Sequence, residues 1–174
     1  MREIRKDLLF KNEDFVFSYR VAGLPVRDGR VLLQTMNGHF FTAVGGHVSS
    51  FESSAEALKR EYYEELNAEI EVREPVAAAE IFLPWDKRAG HQICFYYRIG
   101  IISDGNIPSD GVYAGCDELD GKVYHLKYSW VPIEELGKSA MLYPPQLIPI
   151  LQRGSTEFTH FVYDEFEDPT LNLK

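Results

Sequence analysis

The feature that most constrains this sequence is a helix-like segment that begins seven residues after a double glycine. Ser53, followed by Glu56 three residues later, forms the pattern of a capping box and predicts where the helix begins. Asn67 tolerates the left-handed conformation in which helices end. Between these two ends, apolar residues recur at intervals of three and four, which predicts an amphipathic helix: Ala55, Leu58, Tyr62 and Leu66.

Three glutamates lie on one side of the predicted helix, away from its apolar residues. Glu61, Glu64 and Glu65 are spaced so that neighbouring charges repel by roughly 0.2–0.5 kcal/mol per pair. On their own, such acids are more typical of a solvated helix face. As a cluster on a rigid element they suit a hard cation, Mg²⁺ or Mn²⁺. Zn²⁺ is disfavoured, because no pair of cysteines or histidines has ligand spacing.

The residues before the helix favour a metal site over a solvated face. Gly45 and Gly46 allow the backbone to approach a ligand closely. Glu52 lies at the corner between loop and helix, eight residues before Arg60, and is expected to pair with it and brace the loop.

The rest of the chain predicts mostly strands, which indicates an α+β or mixed α/β fold. Residues 103–121 are rich in glycine, proline and acids and are expected to form an exposed loop, and residues 84–90 a polar turn. Proline-led segments at 132–136 and 144–151 predict short helices. The predicted strands cover residues 15–24, 30–35, 70–72, 76–83, 91–102 and 123–131.

Composition excludes several classes of protein. The 174 residues carry a net charge of −9 and predict one domain, with a core over about 15–151 and a tail over 152–174. A charged N-terminus and the lack of a long apolar run predict no signal peptide and no membrane span. Two cysteines favour a reducing, cytoplasmic setting. A pI near 5.0 argues against binding extended nucleic acid.

The segment from Gly46 to Ala68 resembles the signature of the Nudix hydrolases. That signature places a glycine, a glutamate, an arginine–glutamate pair and a double glutamate at fixed intervals. Tyr62 replaces an aliphatic residue and Asn67 replaces a glycine, and both departures are mild. The glycine and every charged position match in register: Gly46, Glu52, Arg60, Glu61, Glu64 and Glu65.

The resemblance implies a Nudix-type α/β/α sandwich around a mixed sheet, and Mg²⁺-dependent hydrolysis of a diphosphate linkage in a small nucleotide-like substrate. Glu61, Glu64 and Glu65 would hold the metal, with the Gly46 carbonyl as a further ligand, while Arg60 paired to Glu52 would orient the acids. The family varies in the source of the general base, which is left unassigned. A homodimer is also open, because dimers are common in the family.

Outside the signature the assignments are weaker. Arg20 is a candidate for phosphate and Phe40 for stacking on a base, while Glu80 is a candidate metal ligand, base or substrate contact; structural roles compete for all three. The acids Asp117, Glu118 and Asp120 are candidate bases by position, with solvated loop charge the stronger reading. Two other classes stay open: a Nudix-fold module that binds a nucleotide without cleaving it, and a structural domain with a merely solvated acidic helix.

Overall fold

A computed structural model describes residues 5–119 and 121–171, and at 117–119 it describes the backbone alone. These residues contain ten strands and two α-helices. No helix in these ranges is both long enough and apolar enough to cross a membrane. The elements are β1 (Leu9–Lys11), β2 (Phe15–Arg27), β3 (Arg30–Thr35), β4 (Phe40–His47), α1 (Ser54–Leu66), β5 (Glu69–Trp85), β6 (Arg88–Ser103), β7 (Val112–Leu119), β8 (Lys122–Pro132), β9 (Met141–Tyr143), α2 (Leu147–Arg153) and β10 (Thr159–Asp164).

The strands form one mixed sheet in the order β10-β5-β6-β2-β4-β3-β8-β7, with β1 added to β2 and β9 to β4. The pairs β2–β6, β4–β9 and β5–β10 are parallel, and the other pairs are antiparallel. β4 changes partner along its length: Phe40–Thr42 pair with β9, and Val44–His47 pair with β2. β2 stops pairing with β4 at Val44, and β9 takes its place at Phe40–Thr42. The sheet therefore divides beside Phe40–Thr42.

Each face of the sheet packs against one α-helix, as the alternation of side chains in the strands requires. Val21 and Leu32 share a core with α1, whereas their neighbours Ala22 and Leu33 share a second core with α2. The predicted α/β/α sandwich around a mixed sheet is confirmed.

The ends of α1 agree with the sequence. The Ser53 side chain accepts a hydrogen bond from the Glu56 amide, and the Glu56 carboxylate accepts one from the Ser53 amide, so the capping box forms in full. Asn67 has φ 49° and ψ 30°, which is the left-handed conformation predicted for the end of the helix.

Three predictions of local structure were wrong. The supposed loop 103–121 contains β7, because pairing with β8 supplies the hydrogen bonds that its weak strand propensity does not. The turn predicted at 84–90 is limited to Asp86 and Lys87. The residues after Pro132 form a single 3-10 turn, Ile133–Glu135. The side chains of Asp117 and Glu118, and all of Asp120, lie outside the described residues.

The tail, for which the sequence predicted nothing, contributes β10. This strand pairs with β5 in parallel, from Thr159 opposite Ala77 to Asp164 opposite Phe82. Tyr163 points into the core on the α2 side, where it is 5% exposed.

Candidate active site

Glu52 and Arg60 form the ion pair that the sequence predicted. Arg60 donates from Nε and Nη2 to the two carboxylate oxygens of Glu52, at 2.9 and 3.0 Å, and the Ser49 amide donates to the same carboxylate at 3.1 Å. The Glu52 side chain is 2% exposed. Burial alone would raise its pKa, but the hydrogen bonds from Arg60 and Ser49 lower it overall. The pair fixes the corner between loop and helix.

Arg60 also gathers groups from three parts of the chain. Its Nη2 donates to the His47 carbonyl at 2.9 Å, and its Nη1 donates to Glu61 at 2.7 Å and to Glu64 at 3.0 Å. Hydrogen bonding to Glu52 is the largest of the effects that raise the pKa of Arg60. One guanidinium nitrogen thus holds the carboxylates of Glu61 and Glu64 close together.

Glu61 lies against the backbone of β4 at Gly46. A β-carbon at Gly46 would overlap the Glu61 carboxyl group, so only glycine permits this approach. Glu61 is 9% exposed, and its burial raises its pKa more than the nearby charges of Arg60 and Arg20 lower it. A carboxylate held away from water is one that a cation would stabilise.

Glu65 has a partner outside this pair. Its carboxylate accepts a hydrogen bond from the Tyr128 hydroxyl at 2.8 Å, on the side of α1 that faces β8. Accordingly, no three metal-binding side chains converge on one point within the described ranges. The donor set still fits a hard cation, because the carboxylate oxygens of Glu61 and Glu64 meet at one positive nitrogen, beside the close approach at Gly46.

A cleft of about 650 Å³ opens where the sheet divides. Its walls come from β2, β3, β4, β8 and β9, from the turn between β5 and β6, and from the chain after β10. An inner recess of about 170 Å³ adjoins the cleft and shares six residues with it: Arg20, Gln34, Thr42, Leu83, Tyr143 and Glu165. A cavity of this total size suits a small organic ligand.

Arg20 connects the cleft to the carboxylates of α1. It lines both the cleft and the recess, and its Nη2 donates to the Gly45 carbonyl at 3.1 Å. Gly45 directly precedes Gly46, which lies against Glu61. Arg20 is therefore near both the backbone that lies against Glu61 and the cleft, and its positive charge acts on Glu61.

The other two predicted contact residues lie in different places. Phe40 lines the cleft, 42% exposed, with its ring 5.5 Å from that of Tyr143. Glu80 is not among the residues that line the cleft. Its carboxylate lies 3.0 Å from His160 Nε2 and 3.8 Å from His91 Nε2, across the strands β10, β5 and β6.

Sequence reasoning missed most of the cleft. Gln34 was read only as a strand residue, and Thr42, Tyr143 and Glu165 belong to segments that no prediction covers. No local pattern marks these positions, because strand pairing and the path of the tail bring them together. The alternation around Phe40 and Phe41 was the one available signal: Phe41 is in the core, and Phe40 faces the cleft.

Comparison with known proteins gives one family. Residues 18–153 match the model of the NUDIX domain. No curated protein sequence is significantly similar to the chain. Among solved structures, the mutator MutT protein of Bacillus halodurans aligns with TM-score 0.59 and 16% identity, over 87% of this chain and 93% of that one.

Two further structures show the same likeness of fold. A NUDIX hydrolase from Nitrosomonas europaea aligns with TM-score 0.56 and 17% identity, over 85% of this chain and 79% of its own. An ADP-ribose pyrophosphatase from Streptococcus suis aligns with TM-score 0.53 and 12% identity, over 83% and 98%.

Proposed function

The chain belongs to the Nudix hydrolases, enzymes that act on phosphorus-containing acid anhydrides, and from that premise we propose that it is a Mg²⁺-dependent pyrophosphohydrolase. Its substrate is a nucleoside diphosphate joined to a further group, and water attacks phosphorus. The observation that carries the proposal is the network in which Arg60 holds Glu52, Glu61 and Glu64 beside Gly46. The name of the Streptococcus suis neighbour, a pyrophosphatase of ADP-ribose, supports the same class of linkage.

The metal would be held by Glu61 and Glu64, with Glu65 and the Gly46 carbonyl as further ligands. These are hard oxygen donors on a rigid helix and a rigid strand, which is the donor type that Mg²⁺ and Mn²⁺ prefer. When bound there, Mg²⁺ would neutralise charge on the diphosphate and make a water molecule a better nucleophile.

The chain's own residues contribute position and charge. Glu52 fixes Arg60 through two hydrogen bonds, and Arg60 in turn fixes the carboxylates of Glu61 and Glu64. Because these side chains are already held in position before the ligand binds, they need little reorganisation during the reaction. Arg20, between the acids and the cleft, supplies positive charge for a phosphate oxygen.

The rest of the substrate would occupy the cleft. Its volume of about 650 Å³ is within the range of pockets for small organic ligands. Phe40 presents an aromatic ring at its wall, against which a base can stack.

Glu64→Gln tests the proposed enzyme. The Glu64 side chain is 57% exposed, so the loss of its pair with Arg60 should cost about 0.3–0.5 kcal/mol of stability. Phosphate or nucleotide release from a panel of diphosphate compounds with Mg²⁺ should fall at least about a hundredfold. Glu69→Gln, an exposed site just beyond α1, is the matched control. Full activity in Glu64→Gln would remove the proposed metal site.

One observation favours the alternative of a module that binds nucleotide without cleaving it. Glu65 is turned towards Tyr128, and three ligands do not converge among the described side chains. Such a module would release no product from any compound of the panel, yet would bind at least one of them with an affinity that Mg²⁺ does not change.

A further inference from the structure

Gln34 lines the recess and carries a buried hydrogen-bond acceptor. The residue is 8% exposed, and its Oε1 has no hydrogen-bond partner among the residues that the structure describes. Buried polar atoms in folded proteins nearly always have a partner. A donor placed beside this oxygen would remove the cost of leaving it unpaired.

Glu165, which is half-buried, brings a second hydrogen-bond acceptor from the tail. Its amide donates to the Phe82 carbonyl at 2.8 Å, which continues the pairing of β10 with β5 and fixes the backbone at the rim of the recess. No hydrogen bond or ion pair of its carboxyl group occurs within 5–119 and 121–171. Burial, and then the negative charge of Asp168, raise the pKa of Glu165 to about 7. No residue in the described part of the chain lowers this pKa in return.

The two groups share one small space. Both line the recess of about 170 Å³, which would hold five or six waters at about 30 Å³ each. Its walls also include Ile81 and Leu83, which offer no hydrogen bonds. Arg20 lines the same recess and donates a hydrogen bond to the Gly45 carbonyl, so a substrate whose diphosphate lies at α1 and contacts Arg20 would place its other end towards this recess.

We propose that Gln34 and Glu165 determine substrate specificity, by accepting hydrogen bonds from adjacent N–H donors on the head group of the substrate. The inference rests on the proposed function for the place of the diphosphate. It adds to that function a tail residue and a strand residue that lie outside the α1 network.

The chemistry of the pair selects among bases. The two carboxylate oxygens of Glu165 and the amide oxygen of Gln34 are acceptors that border one recess. Guanine presents a ring N–H beside an exocyclic amino group, and so offers adjacent donors. Adenine and cytosine place a ring acceptor beside their amino group, and uracil flanks its N–H with two carbonyl oxygens, so each sets an acceptor against an acceptor. Hypoxanthine keeps the ring N–H of guanine and lacks only the amino group.

Calorimetric titration of the full chain with GMP, IMP, AMP and UMP, without added metal, tests the proposal. GMP should bind at least about tenfold more tightly than AMP or UMP, with IMP between them. Glu165→Gln and Gln34→Met should each weaken GMP about tenfold and leave AMP within about twofold. The matched control is Glu157→Gln, an exposed acid of the same tail. Thermal unfolding of each variant shows that it is folded.

Equal binding of the four nucleotides by the wild-type chain would overturn the proposal. So would variants that change stability while the ratio of GMP to AMP affinity stays the same, as expected if the two groups only hold trapped water. Should Gln34→Met fail to fold, Glu165→Gln carries the test alone. Because binding is measured without turnover, nucleotide selectivity in a chain that hydrolyses no diphosphate would reject the proposed function and leave this inference intact.

Discussion

Gly46→Ala adds one methyl group where the backbone of β4 passes against Glu61. The new β-carbon would overlap the Glu61 carboxyl group, which must move by about 1 Å or more to restore van der Waals contact. That movement opposes the 2.7 Å hydrogen bond between Glu61 and Arg60. The substitution therefore displaces one proposed metal ligand without changing its chemistry.

The expected effects on stability and activity are of very different size. Loss of one charge-assisted hydrogen bond costs about 1.5–3 kcal/mol, and replacing glycine with alanine in a compatible backbone returns about 0.4–1 kcal/mol. The net loss of about 1–2 kcal/mol should lower Tm by roughly 2–8 °C. Misplacement of a reacting group by about 1 Å can reduce turnover about a hundredfold.

The assay is product release with Mg²⁺ on the best diphosphate substrate of the panel, alongside thermal unfolding. Gly100→Ala is the control, because its methyl group would meet only the ends of the Arg73 and Glu71 side chains, which are 50% and 59% exposed. Wild-type kcat in Gly46→Ala, with Tm lowered as expected, would refute the argument that the contact between Gly46 and Glu61 positions a ligand.

Three further predictions concern stability. Glu52→Gln should lower the free energy of unfolding by about 1.5–3 kcal/mol in chemical denaturation, because Arg60 loses its charge-assisted hydrogen bonds to Glu52 and keeps those to Glu61 and Glu64; a loss below 1 kcal/mol would contradict this. Asn67→Ala should lower Tm and Asn67→Gly should not, because the residue has φ 49°, a conformation that glycine adopts freely and alanine does not. Equal Tm values for the two variants would argue against backbone strain at this position. Glu165→Gln should raise the free energy of unfolding near pH 8 by about 1–2 kcal/mol and leave it unchanged near pH 4. This figure allows for the partial exposure of the side chain. The reason is that the Glu165 carboxyl has a pKa of about 7 in the folded chain against an ordinary 4.5, so the stability of the wild-type chain falls as the pH rises from 4.5 to 7. The same gain at pH 4 and pH 8 would refute the raised pKa of Glu165.

Local sequence determines the helix that carries the acids. The capping box at Ser53 and the left-handed end at Asn67 depend on side chains within a few residues of the backbone they bond, so the sequence predicts them. The pairing of Glu52 with Arg60 follows for the same reason, since the two residues are only eight positions apart in the sequence.

What escaped prediction depends on distant contacts. β7 contains glycine and acids that disfavour strands, and its hydrogen bonds come from β8 across a turn. The direction of Glu65 depends on Tyr128, 63 residues away. Gln34 and Glu165 meet at one recess because β3 and the tail lie on either side of the division in the sheet, and nothing near either residue marks that meeting.

The parallel register of β10 has an evolutionary consequence. A shift of one residue along β5 would turn Tyr163 out of the core and would move Glu165 off the rim at the same time. Insertions before Thr159 lengthen only a connection, whereas insertions within Thr159–Asp164 disturb both packing and recognition. Relatives that diverge in preferred head group are therefore expected to keep the length of this strand and to vary the residue that follows it.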